Sequence, residues 1–493
     1  MLNSAQRDVT LGVATGGTAS GDLSPDCVMA VDIPAAPRPP DPDHHPPQGA
    51  SRMSHHPPES RHDVPCGFCG LLCDDLSVAI DRGRIRIDAG NCPRAATGFA
   101  AGTRALEAGA KPHVKGRPVA LEQAIAAAAE ILRDARATLF GGCGTHLPGM
   151  RGILALADAC GGTVDHMNSY SMFRNLHVLQ NSGWVVTSLS EVRNRADLLV
   201  CFGTDIASRL PRFYERCLWV DDTLFGLRAE EREVVILGAP KDATLATSPG
   251  GRPPRVLACA NEDLAEVAQA LRALVRGAPV RGDAVAGIPV TELARLAERL
   301  KAARYGVVAW VSSDLDFDHA ELAVQSACDL VRELNAHTRC NGLPLGGSDG
   351  DYTAHQVITW QTGFTVRTRL SAAGPQHDPR RFDGGRLLAD GAADALVWVS
   401  SFDPGKTPPA SAVPTVVLGH PAMQVECQVF IPVGIPGIDA AGHLFRTDSS
   451  VAVPMRQLRD LGLPDVADVT TGILTALRAG AGPDSAAGEA CAC

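Results

Sequence analysis

The segment ADLLVCFGTD, residues 196–205, is a continuous apolar run that ends in Gly203, Thr204 and Asp205. A short apolar run that stops at a glycine turn is typical of a β-strand buried on both faces of a parallel sheet. Open α/β sheets bind ligands beyond the carboxyl ends of such strands, where Gly203 and Asp205 lie. The signal for a ligand is generic, because strands often end in glycine.

The same pattern recurs along the chain. Further strand-like runs are REVVILGA (232–239), YGVVAWVSS (305–313), ADALVWVSS (393–401) and PTVVLGH (414–420). Segments with helical spacing lie between them, among them LEQAIAAAAEILRDA (121–135), NEDLAEVAQALRALVRG (261–277) and AVQSACDLVRELNAH (323–337). This alternation predicts parallel sheets covered by helices on both faces, and the length of 493 residues predicts two such α/β domains, at 113–285 and 286–435.

Composition excludes several classes of function. The chain has 45 basic and 55 acidic residues and a net charge of -10, which is unfavourable for nucleic-acid binding. No apolar run approaches the roughly 20 residues that span a bilayer, and the N-terminus lacks the pattern of a signal peptide. We expect a cytoplasmic protein with neither a nucleic-acid nor a membrane partner.

The ends of the chain differ in composition from its centre. Residues 1–62 are rich in Pro and His, too polar to form a core, and are predicted to be disordered. A small cysteine domain is expected at 63–112. Residues 436–480 are interpreted as a closing segment that packs on the core, and 481–493 as a flexible tail.

Four cysteines form the clearest chemical motif. The segment VPCGFCGLLCDDLSVAI (64–80) contains Cys66, Cys69 and Cys73, and Cys92 follows after an alternating stretch. Four thiolates are the right number for a metal site. Three cysteines in one run with a fourth further on favour an iron–sulfur cluster over zinc, which prefers two C-x2-C pairs. Four unligated buried thiols are the alternative.

Two charged patterns have structural interpretations. Asp74 and Asp75 follow the third cysteine and are interpreted as caps of the loop. Arg209, Arg212 and Arg216 have the i, i+3, i+7 spacing of one helix face. A solvated basic stripe is the simpler interpretation, and a contact with an acidic partner or a phosphate is the alternative.

Four segments together resemble a known family. CGFCGLLCDDL (66–76), SEVRNRADLLVCFGTD (190–205), HQVITWQTGF (355–364) and GIPGIDAAGHLFRTD (434–448) are similar, in order and separation, to the B subunit of formylmethanofuran dehydrogenase. That family is part of the molybdopterin oxidoreductase superfamily. The resemblance extends from about Cys66 to about Val453, nearly all of the chain between the tails.

The resemblance implies a fold and a cofactor set. It implies a small N-terminal domain around a 4Fe–4S iron–sulfur cluster held by the four cysteines, followed by two α/β domains that hold a tungsten or molybdenum pterin. In redox-active relatives that site reduces carbon dioxide to formate. The positions that would contact the pterin are Arg193, Arg195, Gly203, Asp205 and Gln361, and the neighbouring Trp360 is expected in the core.

The sequence departs from the family at the reacting centre. In NSYSMFRNLHVLQNSGW (168–184), Met172 and Phe173 stand where the family has a metal-ligating cysteine and a histidine, and Gly346 stands where it has an arginine. A thioether is a weak ligand for high-valent tungsten, and a phenyl ring cannot transfer a proton. Glycine cannot hold a formate-sized anion as a guanidinium does. The departures predict that redox activity is lost and that no tungsten or molybdenum pterin binds.

The same departures resemble the B subunit of the bacterial formyltransferase/hydrolase complex. That likeness implies three partners: an amidohydrolase (A) subunit, a formyltransferase (D) subunit and a C subunit. The chain would support conversion of a formyl-methanofuran-type carrier to formate in tetrahydromethanopterin-linked one-carbon metabolism. A redox-active B subunit of formylmethanofuran dehydrogenase, which interconverts carbon dioxide and formate, remains the alternative.

Overall fold

The computed structural model describes residues 58–239 and 243–480. Most of the predicted N-terminal tail and the tail at 481–493 therefore lie outside the described residues. Residues 59–62, predicted as tail, instead belong to a strand, because their backbone pairs with a neighbouring strand, with Glu59 opposite Ile80. Within the two described ranges, no helix is long and apolar enough to cross a membrane.

The described ranges form strands and helices in alternation. The strands are β1 (Glu59–Val64), β2 (Leu76–Asp81), β3 (Arg84–Ala89), β4 (His113–Val114), β5 (Arg117–Pro118), β6 (Thr138–Gly144), β7 (Thr163–Val164), β8 (Leu198–Phe202), β9 (Glu233–Leu237), β10 (Arg255–Leu257), β11 (Ala284–Val285), β12 (Ile288–Pro289), β13 (Gly306–Val311), β14 (Cys340–Leu345), β15 (Thr368–Arg369), β16 (Gln376–His377), β17 (Ala395–Ser400), β18 (Thr415–Gly419), β19 (Val429–Pro432), β20 (Gly442–Phe445) and β21 (Ala452–Met455). The α-helices are α1 (Pro93–Ala108), α2 (Leu121–Asp134), α3 (Leu147–Cys160), α4 (Ser169–Ser182), α5 (Leu189–Arg195), α6 (Ile206–Arg209), α7 (Leu264–Val275), α8 (Val290–Ala302), α9 (Ala320–Leu334), α10 (Asp351–Thr362), α11 (Gly384–Ala389) and α12 (Val466–Gly480).

A five-stranded parallel sheet has the order β10-β9-β8-β13-β14. Every residue of β8 and of β13 is buried, as their continuous apolar runs predict for strands covered on both faces. The chain enters the sheet at β8, builds outward on one side, and then returns to build on the other side from β13. The order of strands therefore reverses between β8 and β13, a topological switch point of the kind at which open α/β sheets bind ligands.

A nine-stranded sheet contains a second parallel core, β7-β6-β17-β18-β19, flanked by short antiparallel strands. Its strand order reverses between β6 and β17. Helices α3 and α12 pack against each other in contact with this sheet. The predicted α/β class with parallel sheets is confirmed.

The two sheets do not follow the predicted division of the chain. Strands on either side of residue 285 share the five-stranded sheet, since β8 pairs directly with β13. The nine-stranded sheet combines strands before residue 165 with strands after residue 367. The predicted domains 113–285 and 286–435 are thus corrected: the five-stranded part is inserted into the nine-stranded part. Local sequence patterns do not determine which strands pair when the strands are more than 200 residues apart in the chain.

The cysteine segment 63–112 forms a three-stranded antiparallel sheet, β1-β2-β3, and the helix α1. Its apolar side chains share one core with the five-stranded sheet; for example, Val64 and Cys66 belong to the same buried cluster as Leu199 and Val307. The segment is therefore part of the common core of the described chain.

A buried arginine of the segment after β19 joins that segment to the cysteine segment. The Arg459 guanidinium donates from Nε to Asp439 Oδ1 at 2.6 Å, and its two terminal nitrogens donate to the carbonyls of Gly83 and Gly102 at 2.8 and 2.7 Å. Both charged side chains are almost completely buried. Such a pair depends on both partners, because removal of one leaves an uncompensated buried charge.

We predict that Arg459→Met lowers the free energy of unfolding by about 3–5 kcal/mol, because Asp439 remains buried without its cation. The measurement is urea denaturation at neutral pH. Arg61→Met, which breaks an exposed pair with Glu59, is the matched control and is expected to cost less than about 1 kcal/mol. Equal losses in the two variants would contradict the prediction.

Candidate functional site

A cavity of about 960 Å³ lies at the carboxyl ends of strands from both parallel sheets. Ser312 and Ser313 follow β13, Gly346 follows β14, and Asp403 follows β17, and all four residues line the cavity. The volume is within the range that holds a cofactor-sized molecule. Both switch points open toward this cavity, as expected for the ligand site of open α/β sheets.

Three basic side chains line the cavity without a carboxylate partner. Arg94 and Arg104 project from α1, and Lys406 follows β17. In the part of the chain that the structure describes, no carboxylate lies within ion-pair distance of these three groups. A fourth cation, Arg209, is held by Asp314, which accepts from its Nε at 2.8 Å. The free cations give one wall of the cavity a positive potential that favours an anionic ligand.

Two buried aspartates also line the cavity, at the start of α10. Asp349 has a left-handed backbone (φ 54°), and its carbonyl accepts from His166 Nε2 at 3.2 Å. Asp351 accepts from the backbone N–H of Tyr352 at 2.7 Å and from Asn168 Nδ2 at 3.4 Å. Burial raises the pKa of Asp351 to about 7 and also raises the pKa of Asp349.

Two histidines near these aspartates are neutral. Burial lowers the pKa of His166 to about 4, and its Nδ1 accepts from the backbone N–H of Asn168 at 2.9 Å. Burial likewise lowers the pKa of His355 to about 4. His355 lines the cavity, and its Nδ1 lies 2.5 Å from Thr365 Oγ1. The imidazoles therefore act here as hydrogen-bonding groups and carry no charge near neutral pH.

The structure separates the two neighbouring residues at the positions predicted to be degenerate. Met172 lines the cavity, whereas Phe173 is only 3% exposed and does not. The Phe173 ring lies beneath the Arg367 guanidinium, 4.5 Å from ring centroid to Cζ, and stacks on His377 at 6.1 Å between centroids. Phe173 is therefore a packing residue, held in place by a buried cation–π contact.

The arginine above Phe173 is itself fixed by a buried network. Arg367 lies 3.6 Å from Asp165 and 2.5 Å from Asp383, and it donates to Ser169 Oγ at 3.1 Å and to the Pro379 carbonyl at 2.8 Å. These partners contact the Arg367 guanidinium from several sides. The position that the family uses for a histidine is consequently built into the core.

Gly346 lies where the backbone of the cysteine loop closely approaches the backbone that follows β14. The backbone N–H of Gly70, in the cysteine loop, donates to the Gly347 carbonyl at 2.8 Å. A Cβ on Gly70 would lie 2.1 Å from the Gly346 carbonyl oxygen, and a Cβ on Gly347 would lie 2.6 Å from the Gly70 Cα. Gly346 has φ 153° and Gly347 φ 95°, conformations that favour glycine. An arginine at Gly346 would therefore be strained.

The four cysteines converge in a folded loop. The Cys66 N–H donates to the Cys73 carbonyl at 2.7 Å, which closes the loop. Cys92 is the N-cap of α1, and its sulfur accepts from the Ala95 N–H at 3.4 Å. Burial and then the charge of Cys69 raise the pKa of the Cys66 thiol, to which Cys73 and Cys92 also contribute. The four sulfurs therefore lie within electrostatic reach of one another.

The four thiols do not have the geometry of a single metal-ion site. Among the described residues, no group of three or more His, Cys, Asp or Glu side chains has the arrangement of a metal-ion site. In a 4Fe–4S cluster each thiolate binds a different iron, so four thiols need not converge on one point. Burial raises the pKa of Cys73 to about 12, so without a bound cation this thiol stays protonated.

Two arginines hold the cysteine loop from outside. Arg212, whose side chain is 8% exposed, donates to both carboxylate oxygens of Asp75 at 2.7 and 2.8 Å, and Arg216 donates to Asp74 at 2.7 Å. Asp74 and Asp75 thus form ion pairs with these arginines. The predicted basic stripe is wrong: α6 ends at Arg209, before a proline, and the chain continues as a π-helical turn.

The residues predicted to contact a pterin do not line the cavity. Arg195 pairs with Glu191 at 2.7 Å, and Arg193 donates to the Arg216 and Asp222 carbonyls. The remaining three are placed as follows: Gly203 forms the turn after β8, Asp205 caps α6, and Gln361 is exposed at the end of α10. Gly203 and Asp205 position α6, whose Ser208 and Arg209 do line the cavity. Their roles as cofactor contacts stay a prediction.

Trp360 is predicted in the core, but it is 54% exposed and packs edge-to-face on Phe445.

The sequence does not predict several of the residues that line the cavity. Asn168, Asp351 and the cations Arg94 and Lys406 are brought together only by the fold. A usable signal existed for Asp351, since an acidic residue that follows glycine at the start of a predicted helix marks a helix N-terminus.

Comparisons with known proteins place the chain among homologues. No protein-family model matches it. It is 27% identical over 418 residues to the B subunit of the tungsten-containing formylmethanofuran dehydrogenase 2 of Methanocaldococcus jannaschii, across 81% of this chain and 93% of that protein. It is 26% identical over 383 residues to the B subunit of the formyltransferase/hydrolase complex Fhc of Methylorubrum extorquens, across 74% of this chain and 96% of that protein.

A solved structure agrees with these relatives. The chain matches one chain of the X-ray crystal structure of the formyltransferase/hydrolase complex (FhcABCD) from Methylorubrum extorquens in complex with methylofuran. The TM-score is 0.63 with 25% sequence identity, and the match covers 75% of this chain and 99% of that chain. The predicted resemblance is confirmed: the chain is a homologue of the B subunits of formylmethanofuran dehydrogenase and of the Fhc complex.

We predict that Asp351→Asn stabilises the protein, and that the gain grows as the pH rises from about 4 to about 7 and is constant above. The raised folded pKa means that ionised Asp351 destabilises the fold in that window, by on the order of 1.4 kcal/mol for each pKa unit. Urea denaturation across pH 4.5–8.5 measures this. Asp318→Asn, at an exposed carboxylate outside the cavity, is the control, and a gain independent of pH would contradict the prediction.

Proposed function

We propose that the chain is the B subunit of a formyltransferase/hydrolase complex and has no redox role of its own. The proposal rests on the three positions at which the sequence departs from the family. Met172 supplies only a thioether to the cavity, Phe173 is packed beneath Arg367, and Gly346 lies in a backbone contact. The match to 99% of a chain of the FhcABCD structure supports the same assignment.

The residues at the reacting end do not fit a tungsten or molybdenum pterin. A neutral thioether is a poor ligand for a hard, high-valent metal. No proton carrier remains at Phe173, because its ring is enclosed by the Arg367 network. The neutral histidine nearest to the cavity, His355, already pairs with Thr365. We therefore derive no reaction step from such a group in this chain.

In the proposed complex the chain acts as a scaffold. The three other subunits would be an amidohydrolase, a formyltransferase and a C subunit, and together they would release formate from a formylated methanofuran-type carrier. The setting would be one-carbon metabolism linked to tetrahydromethanopterin. A scaffold needs a rigid, extensively packed fold, and the single core shared by the cysteine segment and the five-stranded sheet supplies it.

We further propose that Cys66, Cys69, Cys73 and Cys92 hold a structural 4Fe–4S cluster. Their number, the burial of the first three and the helix N-terminus beside the partly buried Cys92 fit an anionic thiolate cluster. Such a cluster would cross-link the loop to α1. This also makes the cysteine segment a small iron–sulfur domain of the molybdopterin oxidoreductase type, as the sequence predicts.

Two observations favour the redox-active alternative. The cavity of about 960 Å³ persists between the two switch points, with Arg94, Arg104 and Lys406 free of ion pairs in the described chain. A tungsten-containing relative is also 27% identical over most of its length. An active B subunit of formylmethanofuran dehydrogenase would use this cavity for a pterin.

Activity assays on the chain purified together with the candidate partner subunits distinguish the two functions. We expect the four-subunit complex to release formate from a formylated carrier, with no reduction of a viologen dye by formate or by the carrier. The variant Met172→Ala is expected to keep formate release within about two-fold of the wild type, because a scaffold makes no contact with the reacting atoms. Dye reduction that is lost in Met172→Ala would contradict the proposal.

The cluster is tested by substitution of one ligand. Cys73→Ser is expected to remove most of the iron, about four atoms per chain in protein purified without air, together with the visible absorption of the cluster. Cys328→Ser changes a buried thiol outside the quartet and is the matched control. Iron that is absent from the wild type, or unchanged in Cys73→Ser, would show that the thiols are unligated.

A further inference from the structure

A second cavity, of about 490 Å³, lies at the opposite end of the nine-stranded sheet. Thr138 and Leu139 at the start of β6, Thr163 at the start of β7, and Ala393 just before β17 line it. These are the amino ends of the strands, whereas the larger cavity adjoins their carboxyl ends. The remaining wall is the loop after β16 together with α11.

Four arginines surround this second cavity. Arg369 donates from Nε to the Gly161 carbonyl at 3.2 Å, and Arg386 pairs with Asp390 at 3.2 Å. Arg380 and Arg381 have no carboxylate within ion-pair distance in the described chain. Arg381 lies over the Phe382 ring at 5.3 Å, which leaves the edges of its guanidinium open.

The acidic residue nearest to the free arginines is already engaged. Asp378 accepts from the backbone N–H groups of Arg380 and Arg381 at 2.9 and 2.8 Å. These two hydrogen bonds are the largest causes that lower the pKa of Asp378. The Asp378 carboxylate therefore shapes the loop, and both Arg380 and Arg381 line the cavity.

A buried hydroxyl adds a second, independent sign of a ligand. Thr138 is 2% exposed, lines the cavity, and its Oγ1 has no hydrogen-bond partner in the described chain. A buried polar group without a partner costs free energy, so such groups are uncommon unless something bonds to them. A hydroxyl can donate to an anionic oxygen.

Apolar side chains complete the lining. Leu139, Phe382 and Ala393 are buried, and Leu387 is half-buried, so part of the wall can receive a ring or a hydrocarbon. A ligand that fits has an anionic head and an apolar body. Several donors converge on the head, and a phosphate group offers more acceptor oxygens than a carboxylate.

We propose that the cavity between the amino ends of β6 and β17 and helix α11 binds a small molecule that carries a phosphate group on an apolar body. Arg380 and Arg381 bind the phosphate by charge-assisted hydrogen bonds, and the Thr138 hydroxyl, which has no partner in the described chain, donates to it. The proposal is independent of the larger cavity and of the assignment of the complex.

Calorimetric titration of the full chain with phenyl phosphate, inorganic phosphate and citrate tests the proposal. We expect phenyl phosphate to bind with a dissociation constant of about 1 mM or tighter, and more tightly than inorganic phosphate because of its ring. The affinity should fall as the salt concentration rises from 50 to 200 mM, because dissolved ions screen the attraction between the phosphate and the guanidinium groups. Citrate that binds as tightly as phenyl phosphate would overturn the choice of phosphate.

Variants test the residues. The double change Arg380→Gln and Arg381→Gln is expected to weaken phenyl phosphate binding about tenfold or more. Thr138→Val is expected to weaken binding several-fold while leaving the unliganded protein at least as stable, because an unpartnered hydroxyl is removed. Arg478→Gln, at an exposed arginine of α12, is the control. Absence of binding to the wild type, or unchanged binding in all variants, would overturn the proposal.

Discussion

The hydrogen bond from the Gly70 N–H to the Gly347 carbonyl is the contact on which the site depends. It joins the cysteine loop to the end of β14 at a distance that only glycines permit, since a Cβ at either residue would overlap the other backbone. The Arg212–Asp75 pair holds the same loop from the other side. The cysteine segment and the five-stranded sheet are therefore fixed relative to each other, and together they close one wall of the larger cavity.

The order of strands in the two parallel sheets explains how the larger cavity can be present in the non-redox subunit that we propose. Both parallel sheets reverse their strand order, and both reversals face the larger cavity. The cavity therefore follows from the order of the strands and does not depend on which side chains lie at its reacting end. Phe173 shows the change most directly, because its ring has become part of a buried network around Arg367. A fold can in this way be kept for assembly after its catalytic residues have been replaced.

The sequence predicts the strands, the α/β class and the four-cysteine motif, because each is encoded locally. It does not predict that β6 pairs with β17 or β8 with β13, since these are long-range pairings, and the predicted domain boundary was therefore misplaced. Arg212 was expected on a solvated stripe, but Pro211 interrupts the helix and turns the side chain toward Asp75. The wall formed by Asn168 and Asp351 arises only in three dimensions.

We propose that this homologue of redox proteins binds no tungsten or molybdenum pterin. Elemental analysis of the complex purified without air, with pterin quantified after oxidation to a fluorescent derivative, tests it most directly. We expect less than about a tenth of an equivalent of tungsten, molybdenum and pterin for each chain, whether or not iron is present. Near-stoichiometric tungsten or molybdenum together with pterin would contradict the claim and would show that Met172 did not end the redox chemistry.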